Sequence, residues 1–340
     1  MRLSLRNKLI AVCFSTMVFT GLAIIFVVII GGELGRATII APGTGFVISL
    51  FEEFYVQGRP GRWFRAMHPA KSIVVYSLLI IVFVMTVMLV TRALLGHFHE
   101  AEAISERPHA MPSLLIVLPV LFAVSVTAIM TLRIVGYLGA KNLFHLMVGK
   151  YHRPVLERRI FLFLDIKGST ALVERLGPIE TRALIGKFFF DISGPITDHG
   201  GEIYRFTGDG VVVVWDWEQG IARNRIVRAI DAIGDAVDRE SDYYRSKFDH
   251  VPEYRIGVHG GPIVTSEEGD TKRAIGFYGD TIHIAARLEQ KAKELDVGRV
   301  LSENIAGHQV GYGDRLRLIG DEQVRGISEP IKVYELRTGR

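Results

Sequence analysis

Ile160-Phe161-Leu162-Phe163-Leu164-Asp165-Ile166-Lys167-Gly168-Ser169-Thr170 is an apolar run that ends on a carboxylate and then on a glycine turn. The run predicts a buried strand, and Ser-Thr after Gly168 predicts the start of a helix. A second stretch, from Gly200 to Trp215, reads as a hairpin of Ile203–Phe206 and Val211–Trp215 turning at Gly208-Asp209-Gly210. Outward from these pieces, the helix from Ser169 breaks at Gly177-Pro178, and a second helix runs to about His199. Asn224 to Lys247 is helical by its apolar spacing, Tyr254–His259 is a strand, and Ile263-Val264 begins another. An amphipathic helix follows at Thr281–Leu295, and the last strands lie between Val297 and Leu336. Strand-helix-strand-strand-helix-strand is the ferredoxin-like order, so the soluble half is α+β with one sheet face available.

Asp165 and Asp209 stand where an apolar strand hands over to a turn. A carboxylate in such a place is costly unless a cation meets it. Brought together, the two would form an oxygen-rich site for divalent metal, of the kind that handles nucleotide phosphates. The formal charge of +4 on 340 residues gives no reason to expect a nucleic-acid partner. A single Cys13, inside an apolar run, rules out an intramolecular disulfide and a zinc cluster.

Hydrophobic residues make up 49% of the chain, and the excess sits in the first 140 or so positions. Three runs there, at about 9–30, 72–91 and 112–132, are uncharged and long enough to span a bilayer. The first is long for a signal peptide, and Gly31-Gly32-Glu33 is a poor cleavage site, so it is read as a retained helix. Basic residues at the N-terminus (Arg2, Arg6, Lys8), around Arg59–Lys71 and after the last run (Arg133, Lys141, Lys150, Arg153) all ask for the cytoplasmic side. An even number of spans satisfies this, and 37–56 supplies the fourth, despite Pro42, Gly43, Gly45 and Glu52-Glu53. The expectation is therefore an all-α transmembrane domain at 1–138 with four spans and a linker helix at 139–158. A cytoplasmic domain follows at 159–340, on a multi-pass protein of the plasma (inner) membrane with lipid as a partner. Four spans also suit a transporter or channel, but no confident intramembrane charge marks a pathway.

Two further pieces complete an ordered set: Gly279-Asp280-Thr281-Ile282-His283-Ile284-Ala285-Ala286-Arg287, and Arg325-Gly326 shortly before a last strand through Val333. With them, the segment from about Arg159 to Leu336 resembles the catalytic domain of the class III nucleotidyl (adenylyl/guanylyl) cyclases. The family's Asp-Ile-x-Gly-x-Thr motif matches Asp165 to Thr170, and its Gly-Asp hairpin matches Gly208-Asp209. Its Gly-Asp/Asn-x-Val-Asn-x-Ala-x-Arg helix matches Gly279 to Arg287, and its closing Lys/Arg-Gly matches Arg325-Gly326.

The resemblance implies a nucleoside triphosphate substrate, a 3′,5′-cyclic monophosphate product and a homodimer with two shared sites. It implies two Mg²⁺ or Mn²⁺ ions per site, held by Asp165, Asp209 and the carbonyl of Ile166. Gly168, Ser169, Thr170 and Arg325 would bind phosphates, and Arg287 would stabilise charge on the α-phosphate. Three positions depart from the family. The adenine-reading Lys is Arg205, its partner acceptor falls on Gly276, and the ribose-orienting Asn is His283. On the plainer reading Arg205 simply stands in for that Lys, and Phe277 or Tyr278 nearby shapes the base pocket. ATP is the first expectation. An Arg fork can also serve a paired acceptor, so CTP, UTP or GTP stays open, as does a degenerate domain that binds nucleotide without turning it over.

Overall fold

The computed structural model describes residues 148–271, 273–323 and 330–339, residues 144–146, and scattered positions between 9 and 126. Its chain divides into two compact units, 1–5 with 145–340, and 6–144. In the second unit the described positions are helical, and Phe51–Val56 is a π-helix in which Phe51 stacks on Tyr55 at 4.9 Å. Of the four spans expected, those at 9–30, 37–56 and 72–91 lie partly outside the described residues, and that at 112–132 lies there almost entirely. Among the described residues, no helix is long and apolar enough to cross a membrane.

The C-terminal unit is built on β1, Val155–Ile166. Two helices follow, α1 (Ser169–Leu176) and α2 (Pro178–Asp198), then the hairpin β2 (Glu202–Thr207) and β3 (Gly210–Asp216). Next come α3 (Trp217–Ile221), α4 (Arg225–Arg239), α5 (Ser241–Phe248) and β4 (Tyr254–Glu268). After β5 (Ala274–Tyr278), α6 (Asp280–Glu294), β6 (Arg299–Ser302) and α7 (Glu303–Ala306), the chain closes with β7 (Leu316–Glu322) and β8 (Ile331–Leu336). The sheet runs β2-β3-β1-β4-β6-β8-β7, with β5 added to β4. Its first four strands are antiparallel neighbours in the order 4-1-3-2, which is the expected ferredoxin-like core.

Period-two alternation along β1 decides what each sheet face carries. Ile160, Leu162, Leu164 and Ile166 pack into a core with Leu184, Phe188 and Ile192 of α2 and Ile226, Ile230 and Ile233 of α4. Each is almost wholly buried, and each such side chain contributes about 1.5–3 kcal/mol by leaving water. Phe161 points the other way, into a smaller cluster with Val212, Val214, Ile263 and Ala285 of α6, bordered by Tyr204 and Phe277.

Three boundaries differ from the sequence expectation. β1 begins at Val155, so residues 155–158, read as linker, are its first turns of ladder. The predicted helix from Asn224 to Lys247 is two helices that part at Glu240. Tyr254 to Glu268 is one strand, not two, in spite of Gly260-Gly261-Pro262. The Pro262 carbonyl accepts the Thr281 hydroxyl at 2.6 Å, so its nitrogen also faces away from β1. On that edge β6 has ended at Val258 and β5 has not begun until Val264, so no ladder bond is lost. Gly260 is needed there, since a Cβ would meet Trp217 at 2.8 Å and Ile305 at 2.9 Å.

The chain enters this unit through a polar knot. The Tyr151 hydroxyl accepts from Arg159 at 2.7 Å and donates to Glu157 at 3.1 Å, while the Tyr151 carbonyl accepts from the Glu267 amide at 2.8 Å. Arg159 also pairs with Asp216 on β3. The last linker residues are thereby fastened to β1 and to the far end of β4.

Candidate active site

Asp165 lies near the end of β1, opposite Gly210 of β3 on one side and Arg255 of β4 on the other. Asp209 sits in the hairpin turn after Gly208, whose φ of 73° is a left-handed conformation that glycine adopts without strain. Gly210 completes the approach. A Cβ there would come within 2.8 Å of the Leu164 carbonyl and 3.2 Å of the Asp165 Oδ1. The absent side chain lets the turn close, and Asp165 and Asp209 come near enough for each charge to act on the other.

Burial, then the charge of Asp209, pushes the Asp165 carboxyl above the usual range; Lys293 and Arg255 pull the other way. Glu289 is also raised, first by burial and then by Asp165, against Arg255 and Lys293. Arg255, Glu289 and Lys293 join the site only in the fold, since no local motif marks them. Arg255 is the cross-strand partner of Asp165, a relation visible only once the register of β4 is known. Its Nε is buried without a hydrogen-bond partner, and its side chain reaches Asp296 at 3.5 Å.

The helix α6 crosses this region directly over β4. A Cβ at Gly257 would run into the α6 backbone, with the Ala285 carbonyl at 2.7 Å. The helix buries Thr281, Ile284, Ala285, Leu288 and Ala292. Glu289 acts on the aspartates' side, while His283 and Arg287, one turn apart, are exposed to solvent.

The other residues expected at the site are spread over several elements. Gly168, with φ 67°, is the N-cap of α1, which begins at Ser169; Thr170 is exposed. Ile166 is buried and pairs with Tyr254. Arg205 is exposed on β2 and donates to the Tyr204 hydroxyl at 3.0 Å. Gly276 and Phe277 lie on β5, where Phe277 packs edge-on against Phe161 and Tyr204 at 5.1 and 5.0 Å. Arg325 lies outside the described residues.

The carboxylate pair fits a hard cation. Bringing a positive charge between Asp165 and Asp209 would relieve their repulsion, and every donor on offer is oxygen. Among the described residues, no group of three or more His, Cys, Asp or Glu side chains could hold a metal. Two carboxylates with open coordination suit an ion that completes its shell with water and substrate phosphates.

The model of the adenylate and guanylate cyclase catalytic domain family matches residues 156–337, more than half of the chain. The chain belongs to this family. The cyclase is 29% identical over 281 residues to adenylate cyclase 2 of Rhizobium meliloti, covering 82% of this chain and 77% of that one. That alignment is longer than the catalytic segment, so the likeness extends into the N-terminal part. Similarity to the adenylate cyclase of Anabaena cylindrica is 26% over 187 residues, 53% of the cyclase and 37% of the relative. Among solved structures, a bacterial light-regulated adenylyl cyclase superposes with a TM-score of 0.57 at 22% identity, over 69% of this chain and 71% of that one. This last likeness shows the fold alone.

Proposed function

We propose that the cyclase converts ATP to 3′,5′-cyclic AMP and pyrophosphate at a site completed by a second copy of the chain. The observation that carries this reading is the closure of Asp165 on Asp209, with Arg287 on the exposed side of the helix that crosses the same sheet. Bound by Asp165, Asp209 and the Ile166 carbonyl, two Mg²⁺ or Mn²⁺ ions would supply charge neutralisation for the triphosphate and acidity for the ribose 3′-hydroxyl. In the reaction the 3′-oxygen bonds to the α-phosphorus and the bond to the pyrophosphate oxygen breaks.

The residues divide this work by position. The backbone N–H groups from Gly168 to Thr170 open α1 toward phosphate oxygens. Arg255, with an unbonded Nε, and Lys293 add positive charge beside the aspartates of the same copy. Arg287 of one copy donates to the α-phosphate held by the aspartates of the other, and His283, one turn earlier, sits beside the ribose. Arg325 grips the terminal phosphates, and Arg205 with Phe277 and the neighbourhood of Gly276 reads the base. The ATP assignment is supported by the adenylate cyclases among the relatives.

The N-terminal unit anchors the dimer in the inner membrane with the catalytic unit on the cytoplasmic side, a reading supported by the uncharged runs and their basic flanks. Full-length protein should sediment with membranes and resist alkaline extraction. Incubated with ATP and Mn²⁺ or Mg²⁺, it should release cyclic AMP and pyrophosphate in equal amounts, and Asp165→Ala or Asp209→Ala should abolish both. Nucleotide binding without product would favour a non-catalytic signalling domain instead.

A further inference from the structure

β4 and β5 form a two-stranded arm beyond the main sheet, in which Val264 pairs with Tyr278, Ser266 with Gly276 and Glu268 with Ala274. Glu268 therefore shares a face with Gly276 and Tyr278, since side chains alternate along each strand. Its carboxylate lies folded back over the glycine. A Cβ on Gly276 would meet Glu268 Cδ at 2.6 Å and its two oxygens at 2.7 and 2.8 Å. The Tyr278 hydroxyl donates to the same carboxylate and fixes it there. The next residue, Glu267, behaves differently: it is paired with Arg273 at 3.1 Å and lies near His152 at 4.0 Å. Among the described residues, no cation pairs with Glu268.

The arm is tied to the strand that carries Arg205. Phe277 packs on Tyr204, and Tyr204 both accepts from Arg205 and lies within electrostatic reach of Tyr278. Phe277 itself faces the other side of the arm from Glu268; it is through Tyr278, bonded to Glu268, and Tyr204, bonded to Arg205, that one carboxylate and one donor fork approach the same region from two strands. We propose that Glu268 is a specificity-determining residue: its carboxylate accepts the exocyclic amino group of the nucleotide base, in the space that a side chain at position 276 would fill. Tyr278 is its positioning residue. With Arg205 donating to the neighbouring ring nitrogen, the pair matches adenine, which offers an N6 amino group beside the N1 acceptor. It opposes uracil, whose carbonyl oxygens would face a carboxylate. This inference rests on the ATP reading above.

The test compares full-length wild type and Glu268→Gln with ATP and with inosine triphosphate, which carries a carbonyl oxygen where adenine carries the amino group. Glu268→Gln offers that oxygen a donor. The ratio of kcat/KM for ATP to that for inosine triphosphate should fall about tenfold or more, as expected for loss of a hydrogen bond to a charged group. The double variant Glu268→Ala with Gly276→Asp, which places a carboxylate in the same space from β5, should restore the preference. Tyr278→Phe should weaken it without abolishing turnover. An ATP-selective wild type with an unchanged ratio in Glu268→Gln overturns the role of Glu268 and leaves the cyclase reading standing. A wild type that makes no cyclic AMP overturns the ATP reading and this inference with it.

Discussion

Asp165 is a carboxyl held above its ordinary range in the fold by burial and by Asp209. The folded state therefore keeps its proton to higher pH than the unfolded state does, and ionising it costs stability above that value. The cost disappears as the pH falls and the group protonates in both states. Asp165→Asn should thus raise the melting temperature of the metal-free protein at pH 7 by about 2 °C, a modest shift because solvent screens a partly exposed pair. The gain should shrink as the pH is lowered, while turnover is lost at every pH. Added Mn²⁺ should stabilise wild type and leave the variant unmoved; a variant that melts lower than metal-free wild type would contradict the assigned repulsion. Asp165 and Asp209 were legible in the sequence because each stands in a short local motif. Arg255, Glu289, Lys293 and Glu268 were not, because their roles come from strand register and helix placement.

At the scale of elements, the site depends on how closely α6 can lie on β4. Gly257 permits the approach, since any Cβ there would strike helix backbone that has no rotamer to move. Gly257→Ala should cost about 3 kcal/mol or more in urea unfolding, the upper end of overpacking. Gly186→Ala on α2, where a Cβ meets nothing within 4 Å, should be neutral or gain up to about 1 kcal/mol. Equal effects at the two positions would show that close packing of α6 is not what Gly257 provides. The helix itself was readable from its apolar spacing, and its bounds, Asp280–Glu294, lie within a residue of the expectation. The continuity of β4 through Gly-Gly-Pro was hidden, because whether a breaker breaks a strand depends on whether its edge is paired.

At the scale of the whole molecule, one buried imidazole gives the catalytic unit an acid limit. His259 is 4% exposed on β4, contacts the Ser302 hydroxyl at 2.8 Å through Nδ1, and is lowered to about 4 by burial. Between the ordinary histidine value and that one, the unfolded chain takes up a proton that the fold excludes. Its stabilising effect is present above the ordinary value and is lost as the pH falls toward 4, by about 3 kcal/mol in all. His259→Asn should be weaker than wild type at pH 7 but show a flatter loss of stability between those limits. Parallel acid limbs would assign the sensitivity elsewhere.

The α+β order and the 4-1-3-2 core were legible from alternating apolar runs, because hairpins and buried strands are local patterns. A second copy's share of the site is a different kind of property, since it depends on which side of a helix meets a partner. The most direct measurement is therefore complementation. Asp165→Ala and Arg287→Ala variants, each inactive alone, are coexpressed and assayed for cyclic AMP. A site made by two copies predicts that mixed dimers restore turnover through one intact site per dimer. No restored activity, with both variants folded and associated, would contradict it.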